Sequence, residues 1–287
     1  MQRALAQVWR YFDPSDYAEA VLQDAPLDNG KIKVELFEHV SQLRKLQHLH
    51  DASIELGNTK VDDLNFLRDA PPVVTWLNIE ASGPVDFTPL AEFPTLKVAW
   101  VFGGEVSAGW EALPTLRALW GLKINPPDGG RDMSFLSALD ECPSLTHLDV
   151  NGCTKLSDLS ALVSISRLKF IAIHEAHRLH DLRTLSRLPD LQILHISEAP
   201  LQGGLVAVAP LLDRLKILGV KSVPTVTSFD GLAGGSLQTI NLADCPATSL
   251  EPLATLESLK GDVVAAIPRG APRPAGEATP PTGTVAD

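Results

Sequence analysis

The stretch LTHLDVNGCTKLSDLSALVSISRLKFIAI, from Leu145 to Ile173, decides how the rest of the chain is interpreted. Its apolar residues recur mostly at every third position, with a single step of two in each cycle. An amphipathic helix needs a repeat near 3.6 residues, and a half-buried strand needs a repeat of 2. The pattern therefore predicts a coil in which one short strand alternates with a return path of tight three-residue turns.

The step of two lies within a six-residue core of the form L-x-x-L-x-I/V/L, which recurs along the chain at intervals of 22 to 26 residues. The cores are Leu49–Ile54, Val74–Ile79, Leu96–Val101, Leu119–Ile124, Leu145–Val150, Leu168–Ile173, Leu191–Ile196, Leu215–Val220 and Leu237–Leu242. One unit of this size cannot bury its apolar face alone. The units are therefore predicted to stack into a solenoid with a continuous core.

The repeats resemble leucine-rich repeats of the short class, with a period of roughly 22 residues. They are similar to bacterial internalin-like repeats and to the phosphatase-regulatory type. TKLSDLSALVSISRLKF and HRLHDLRTLSRLPDLQI carry the pattern, with its D-L step at Asp158–Leu159 and Asp181–Leu182. The resemblance covers about residues 36–264 and implies a bacterial source. It also implies an α/β solenoid, a horseshoe or arc of about nine repeats, each with one short parallel strand and a 3₁₀ or short-helix return path.

One feature departs from that family pattern. The family places Asn at the ninth position of each repeat, where its side chain bonds to backbone groups of the turn. Here the ninth positions hold Gly57, Ser82, Gly104, Pro127, Cys153, Ala176, Ala199, Val223 and Cys245. The backbone groups of these turns must find other partners.

Three segments are predicted along the chain. Residues 1–47 are predicted to form a helical N-terminal cap, from the patterns PSDYAEAVLQD and VELFEHVSQLRKLQHL. Residues 48–264 form the solenoid, whose last repeat, Leu259–Val264, is degenerate because Asp262 takes an apolar position. Residues 265–287 are rich in Pro, Gly and Ala and are predicted to be a disordered tail.

Composition restricts the classes of partner and the compartment. The net charge of −11 argues against binding to nucleic acid. No apolar run is long enough to predict a membrane-spanning segment, so no membrane partner is expected. The first twenty residues make a poor secretory signal. Cys142, Cys153 and Cys245 are an odd set without CxxC spacing, which favours neither disulfides nor a zinc cluster. We expect a cytoplasmic protein, monomeric by default and without a cofactor.

The third, fifth and seventh residues of each core point away from the solenoid interior, on the face expected to be concave. Trp76, Val98, Trp100 and Phe102 fall on two adjacent strands, with Trp120 beside them, and large aromatics on a rigid sheet are typical of protein interfaces. The alternative is that these rings cover one another, or that a terminal segment folds over them. Glu55 and Glu80 are expected to flank them with negative charge. The predicted partner-binding residues are Trp76, Val98, Trp100, Phe102, Trp120, His147, Asp149, Phe170, His174 and His195.

Two further hypotheses concern other classes of function. His147, Asp149, His174 and His195 could bind a metal or perform acid–base chemistry, although nothing in the sequence fixes their geometry. The insertion Asn125–Asp132 could be a recognition loop or an ordinary surface excursion. The leading prediction is a non-catalytic scaffold that binds a protein through the concave sheet face. The alternatives are an enzyme or metalloprotein that uses the histidine cluster, and an exported internalin-like effector.

Overall fold

The computed structural model describes residues 31–35, 53–131, 135–232, 235–247, 249, 251–256, 258–259 and 263–266. Within them, twelve strands form a parallel sheet. The strands are β1 (Lys31–Glu35), β2 (Ser53–Val61), β3 (Val74–Ala81), β4 (Val85–Asp86), β5 (Val98–Ala108), β6 (Gly121–Asn125), β7 (His147–Val150), β8 (Phe170–Ile173), β9 (Ile193–Ser197), β10 (Ile217–Lys221), β11 (Thr239–Ala243) and β12 (Val263–Ala266).

The order of strands in the sheet follows the order of the chain from β1 to β12, except that β4 lies off this path against the far end of β5. Each strand pairs in parallel with the one before it, so the chain returns to the same side of the sheet after every strand. The predicted solenoid of stacked coils, an open and unclosed arc, is therefore confirmed.

The return paths are short 3₁₀ turns, as the three-residue spacing predicts. They comprise Asn65–Asp69, Thr88–Glu92, Trp110–Thr115, Pro127–Gly130, Ser160–Ser164, Arg183–Arg187, Gly204–Leu211, Asp230–Leu232 and Glu251–Thr255, with one α-helix, α1, at Leu136–Asp140. Across the described segments, no helix has the length and apolar character needed to cross a membrane.

The D-L step of the repeat has a local hydrogen-bonding role. Asp158 Oδ1 accepts the backbone N–H of Ser160 at 2.9 Å, where the 3₁₀ turn begins, and Asp181 accepts that of Arg183 in the same way at 2.8 Å. Hydrogen bonds from the residue two positions later hold the pKa of both aspartates below the usual range. The aspartate therefore starts the return path by satisfying an N–H group that has no partner within the turn.

The core is continuous along the solenoid. The first, fourth and sixth residues of each repeat point into it together with every third residue of the return path; in the repeat of β7 these include Leu145, Leu148, Val150, Leu156 and Leu159, all at most 2% exposed. Cys142, Cys153 and Cys245 are also buried, and burial raises the pKa of the first two thiols to about 11 and about 12. They pack as small apolar residues.

The turns that lack Asn are closed by the backbone itself. The N–H of Cys153, at a ninth position, donates to the carbonyl of His174 in the next repeat at 3.0 Å, and that of Ala176 donates to Ser197 O at 3.2 Å. The eighth residue adopts the left-handed conformation in five successive repeats: Gly152, Glu175, Glu198, Ser222 and Asp244, with φ between 53° and 67°.

A second set of hydrogen bonds, here named the carbonyl ladder, joins successive repeats just before each strand begins. Its donors are the residues directly before the first leucine of a core: Thr95, Ser144, Arg167, Arg214, Ser236 and Ser258. Each side chain donates to a backbone carbonyl of the preceding repeat. Ser236 Oγ, for example, donates to Leu212 O at 2.9 Å. Side chains at this position thus supply inter-repeat bonds for which the family pattern uses Asn elsewhere.

Both ends of the solenoid differ from the sequence expectation. Within the predicted helical cap 1–47, the described residues are β1, a strand in parallel register with β2 that aligns Ile32 with Ile54. Residues 1–30 and 36–47 lie outside the described residues, as do residues 267–287 of the predicted tail. At the other end, β12 aligns Val263 with Ile240. The fourth position of the last repeat is thus Val263, not Asp262, one residue later than predicted.

Candidate functional site

The register of the sheet defines two rows of residues on its concave face, the face away from the core. The first row crosses β3 and β5–β11 through Trp76, Val98, Gly121, His147, Phe170, Ile193, Ile217 and Thr239. The second row crosses the same strands through Asn78, Trp100, Lys123, Asp149, Ala172, His195, Gly219 and Asn241. Both rows follow the third and fifth positions of the repeats as predicted.

Aromatic and histidine rings form a continuous series along these rows. The rings of Trp76 and Trp100 meet edge to face with centroids 4.9 Å apart, and Trp76 reaches Trp120 at 6.2 Å. Trp120 lies 5.1 Å from His147, which stacks on Phe170 at 5.6 Å. Phe170 continues the series to His195, also at 5.6 Å. The series therefore connects β3 to β9 across the concave face.

The ten predicted contact residues divide by exposure. Val98, Trp100, His147, Asp149, Phe170 and His195 are at most 8% exposed. Trp76, Phe102, Trp120 and His174 are half-buried and present part of their side chains to solvent. Much of the aromatic surface predicted for a partner is thus covered, which corresponds to the alternative in which the rings shield one another.

We call residues Trp76, Trp100, Phe102 and Trp120, on or next to β3–β6, the aromatic half of the concave face. His147, Asp149, His174, His195 and Ser197, on or next to β7–β9, form the polar half. Phe102 extends the aromatic half along β5. It pairs with Glu80 of β3. Between Trp100 and Glu105 the pairing of β5 with β6 is interrupted, so Phe102 has no residue of β6 opposite it.

The polar half is organised around Asp149. Lys123 Nζ lies 3.1 Å from Asp149 Oδ2, and His174 Nε2 lies 3.4 Å from Oδ1. On its other side, His174 Nδ1 is 3.3 Å from Ser197 Oγ, which also accepts the backbone N–H of Glu175. Burial acts to raise the pKa of Asp149, but its contacts with His174 and Lys123 outweigh burial and keep that pKa below the usual range. The buried carboxylate is therefore ionised and compensated.

The imidazole rings of His147 and His195 are kept neutral by burial. Burial lowers the pKa of His147 to about 4, and the positive charge of Lys169 acts in the same direction. Burial also lowers the pKa of His195 to about 4, with His174 adding to the effect and Asp149 opposing it. Both rings are therefore uncharged near pH 7, and Phe170 separates them.

The arrangement is unfavourable for metal binding. Among the residues that the structure describes, no group of three or more His, Cys, Asp or Glu side chains could hold a metal ion. The predicted cluster is divided, because His174 faces Asp149 while His147 and His195 flank the Phe170 ring. Its geometry is that of ion pairs and ring contacts within a packed layer.

The acidic flank was predicted in the wrong register. Glu55 aligns with Trp76 in the first row and not with Glu80, because β2 pairs with β3 four to five residues away from the predicted alignment. Glu80 is not a free acidic group, since Lys60 Nζ donates to its Oε1 at 3.1 Å. The negative charge expected beside Phe102 is therefore partly neutralised.

The insertion Asn125–Asp132 is attached to the next repeat as far as residue 131, where the described part of the loop ends. Asp128 forms an ion pair with Lys155, whose backbone N–H donates to Gly129 O at 2.8 Å. Asp128 also lies 3.2 Å from Arg131. The described part of the loop is held in place, which favours the surface-excursion interpretation.

Three residues of the concave face were not selected from the sequence. Lys123 and Ser197 lie at the fifth and seventh positions, but their alignment with Asp149 and His174 is visible only across neighbouring strands. Gly121 contributes by having no side chain. It lies in the first row between Val98 and His147, where it leaves a gap. A glycine at a position otherwise occupied by larger residues was the available signal.

Comparison with known proteins gives likeness of fold alone. No family model matches the chain, and no curated protein matches it. Among solved structures, an internalin C2 from Listeria monocytogenes aligns at 19% identity over 62% of this chain and 84% of that chain, with a TM-score of 0.38. A leucine-rich repeat protein from Leptospira interrogans aligns at 15% identity over 82% and 71%, with a TM-score of 0.39. A TLR13–ssRNA13 complex aligns at 17% over 80% of this chain and 42% of that chain, with a TM-score of 0.49.

Proposed function

We propose that this chain, a leucine-rich repeat protein by its fold, is a non-catalytic scaffold that binds a protein partner on the aromatic half of its concave face. The observation that carries the proposal is the continuous ring series from Trp76 to His195. Its accessible members, Trp76 and Trp120, lie in the aromatic half. Half-exposed tryptophans on a rigid sheet are suited to anchor an interface, because they give large contact area at little cost in conformational entropy.

Rigidity supports this assignment of the binding face. Trp76 contacts both Trp100 and Trp120 edge to face, so its ring is held in one orientation before any partner arrives. Pairs of this kind contribute roughly 0.5–1.5 kcal/mol beyond their buried area. The partner would therefore meet a preformed surface of Trp76, Phe102 and Trp120, with Asn78 and Lys123 beside it as polar groups.

A catalytic or metal-binding role is not proposed. Two of the four histidine-cluster residues are neutral, deeply buried rings, and the carboxylate of Asp149 is already compensated by Lys123. The net charge of −11 favours a protein partner with a neutral or basic surface over a nucleic acid, whose phosphates would be repelled. We propose the cytoplasm as the compartment, because all three cysteines are free thiols.

The experiment compares binding by the wild-type protein with binding by a Trp76→Ala/Phe102→Ala variant. Captured proteins from a source lysate would be identified, purified and titrated against both forms, so that the result is an affinity. We expect the double variant to bind at least about tenfold more weakly, since interface aromatics commonly cost more than about 1 kcal/mol on truncation.

The matched control is Val206→Ala, which removes an exposed apolar side chain, 63% accessible, from the return-path side of the solenoid. Circular dichroism would verify that all variants are folded. Equal affinity of wild type and the double variant would refute the proposed face. Equal loss with Val206→Ala would place the interface on the other side of the solenoid.

A further inference from the structure

A small cavity opens in the concave face where Gly121 interrupts the first row. Its volume is about 20 Å³, and it is lined by Trp100, Trp120, Gly121, His147, Asp149 and Phe170 together with Leu122. The cavity thus lies at the junction of the aromatic half and the polar half. Because Trp120 is only half-buried, the cavity is at the surface of the sheet and not within the solenoid core.

Size and charge restrict what this cavity can hold. A volume of this order accommodates a group about the size of one water molecule. The only ionised group in its wall, Asp149, is compensated by Lys123 at 3.1 Å and approached by His174 at 3.4 Å. A further cation or anion would lose its hydration without gaining an uncompensated opposite charge. A large or charged side chain is therefore disfavoured.

Three polar atoms of the cavity-lining residues are buried without a hydrogen-bond partner among the described residues: Asp149 Oδ1, Asp149 Oδ2 and His147 Nε2. The two carboxylate oxygens lie within ion-pair distance of His174 and Lys123, so of these three atoms His147 Nε2 is the one that still lacks a polar neighbour. His147 is 7% exposed, and its Nε2 atom is buried without a hydrogen-bond partner among the described residues. Its Nδ1 atom is engaged with Thr146 Oγ1 at 2.8 Å. A hydroxyl group can both donate and accept, so it can pair with Nε2 in either neutral tautomer of the imidazole.

We infer that the cavity over Gly121 is a specificity pocket that takes one small uncharged hydroxyl side chain, serine or threonine, from an extended segment of the protein partner. This inference rests on the proposed function. From β3 to β8 the ring series spans four inter-strand steps of about 4.8 Å, or roughly 19 Å. That distance matches about six residues of extended chain, whose alternate side chains face the sheet.

The probe is a set of acetylated and amidated hexapeptide mixtures with Ser, Thr, Val, Asp, Lys or Trp fixed at the third position and random residues elsewhere. Binding is followed by the indole N–H resonances of Trp100 and Trp120, which line the cavity. Individual peptides from the best mixtures are then titrated. We expect Ser and Thr peptides to bind at least tenfold more tightly than the Asp, Lys and Trp peptides, and more tightly than Val.

Gly121→Ala is the decisive variant, because it adds a methyl group to a residue that lines the cavity and causes no clash with the sheet. A Cβ at Gly121 would meet only Val98 side-chain atoms within 4 Å, at 3.4 and 3.8 Å, which is ordinary contact. The matched control is Gly83→Ala, whose Cβ meets nothing within 4 Å. We expect Gly121→Ala to weaken binding of Ser and Thr peptides at least tenfold and Gly83→Ala to leave it unchanged.

Three results would overturn the inference. The first is that peptides bind without preference at the third position. The second is that they bind Gly121→Ala as tightly as wild type. Either result would show that the cavity does not discriminate between side chains of the partner. Failure of every peptide to bind would show that the cavity is not a pocket for a side chain of an extended segment. In each case the proposed function is judged separately, by whether the purified partner still depends on Trp76 and Phe102.

Discussion

The aromatic half and the polar half of the concave face occupy the same rows of the same sheet, yet their side chains differ in exposure to solvent. In the aromatic half, Trp76, Phe102 and Trp120 remain half-exposed. In the polar half, His147, Asp149, His195 and Ser197 are all at most 7% exposed and are joined by hydrogen bonds, ion pairs or ring stacking. One half is therefore available for recognition, while the other is a second packed layer whose contribution is to stability.

The sharpest way to break this comparison is to truncate one ring of the aromatic half and, separately, the Phe170 ring that packs between two histidines of the polar half. Phe170, 4% exposed, stacks between His147 and His195, and we expect Phe170→Ala to lower the free energy of unfolding by about 3–5 kcal/mol. Trp76→Ala, in the aromatic half, should cost less because the ring is already partly in solvent. Urea unfolding followed by far-ultraviolet circular dichroism measures both. A larger loss for Trp76→Ala would contradict the division into halves.

Acid should weaken the polar half before it affects the aromatic half. The pKa values of His147 and His195 are about 4 in the folded protein, against about 6.5 for an unperturbed histidine. Between these values the unfolded chain binds more protons, so the free energy of unfolding falls as the pH drops from about 6.5 to about 4. The limit is roughly 3 kcal/mol for each histidine.

His147→Phe sharpens this test, because it keeps a ring between Trp120 and Phe170 while removing one titrating group. Its loss of stability between pH 6.5 and 4 should be about half that of the wild type. His177→Gln is the matched control: His177 is exposed and pairs with Glu198 at 3.0 Å outside the packed layer. Chemical denaturation at a series of pH values measures this loss for the wild type and both variants. An unchanged slope for His147→Phe would mean that His147 is not buried in its neutral form.

The turns that end β7 and β8 provide the smallest expected effects. Gly152 and Glu175 hold the same left-handed conformation at equivalent positions, with φ of 67° and 57°. The left-handed conformation costs a residue with a Cβ roughly 1–2 kcal/mol of conformational free energy, whereas it costs glycine almost nothing. Gly152→Ala should therefore destabilise the protein by about 1 kcal/mol or somewhat more, since its Cβ would also meet Asn125 Nδ2 at 3.2 Å.

Glu175→Gly should shift stability in the opposite direction. The gain should stay under about 1 kcal/mol, because glycine also increases the entropy of the unfolded chain. Midpoints of urea unfolding, compared at constant slope, measure both substitutions. Destabilisation by Glu175→Gly would show that the glutamate side chain contributes more than its backbone conformation costs.

The sequence predicted the middle of the solenoid residue by residue and failed at its ends for a physical reason. From β3 to β11 the leucines leave one possible register, and both concave rows follow it. In β2, Ile54 and Leu56 alternate with polar residues, so a pattern of period 2 cannot distinguish registers that differ by an even number of residues, here the four between Ala52 and Leu56. The structure pairs Leu56 with Leu77. β1 was missed because Val34, which the sheet aligns with Leu56 and through it with Leu77, was assigned to the start of a predicted helix, VELFEHVSQLRKLQHL.

The candidate site was predictable in its composition but not in its exposure. The repeat positions identify which side chains lie on the concave face, since that depends on backbone periodicity alone. Whether Trp100 is covered by Trp76, or Asp149 by Lys123 and His174, depends on packing between side chains more than twenty residues apart in sequence. For the same reason the cavity over Gly121 could not be anticipated, because its walls come from β5, β6, β7 and β8.

The carbonyl ladder also makes the length of this protein adjustable in whole units. Each of its bonds joins a repeat only to the one before it, as Arg214 does with Leu188 O at 2.8 Å. Phe170 and Ile193 occupy equivalent positions 23 residues apart. Deleting residues 168–190 would therefore place Leu191 directly after Arg167, in the position that Leu168 now holds, with β9 against β7. The backbone of the solenoid can in this way lose or gain a turn in register, whereas the side chains of the concave face would have to repack, since this deletion also removes Phe170 and His174.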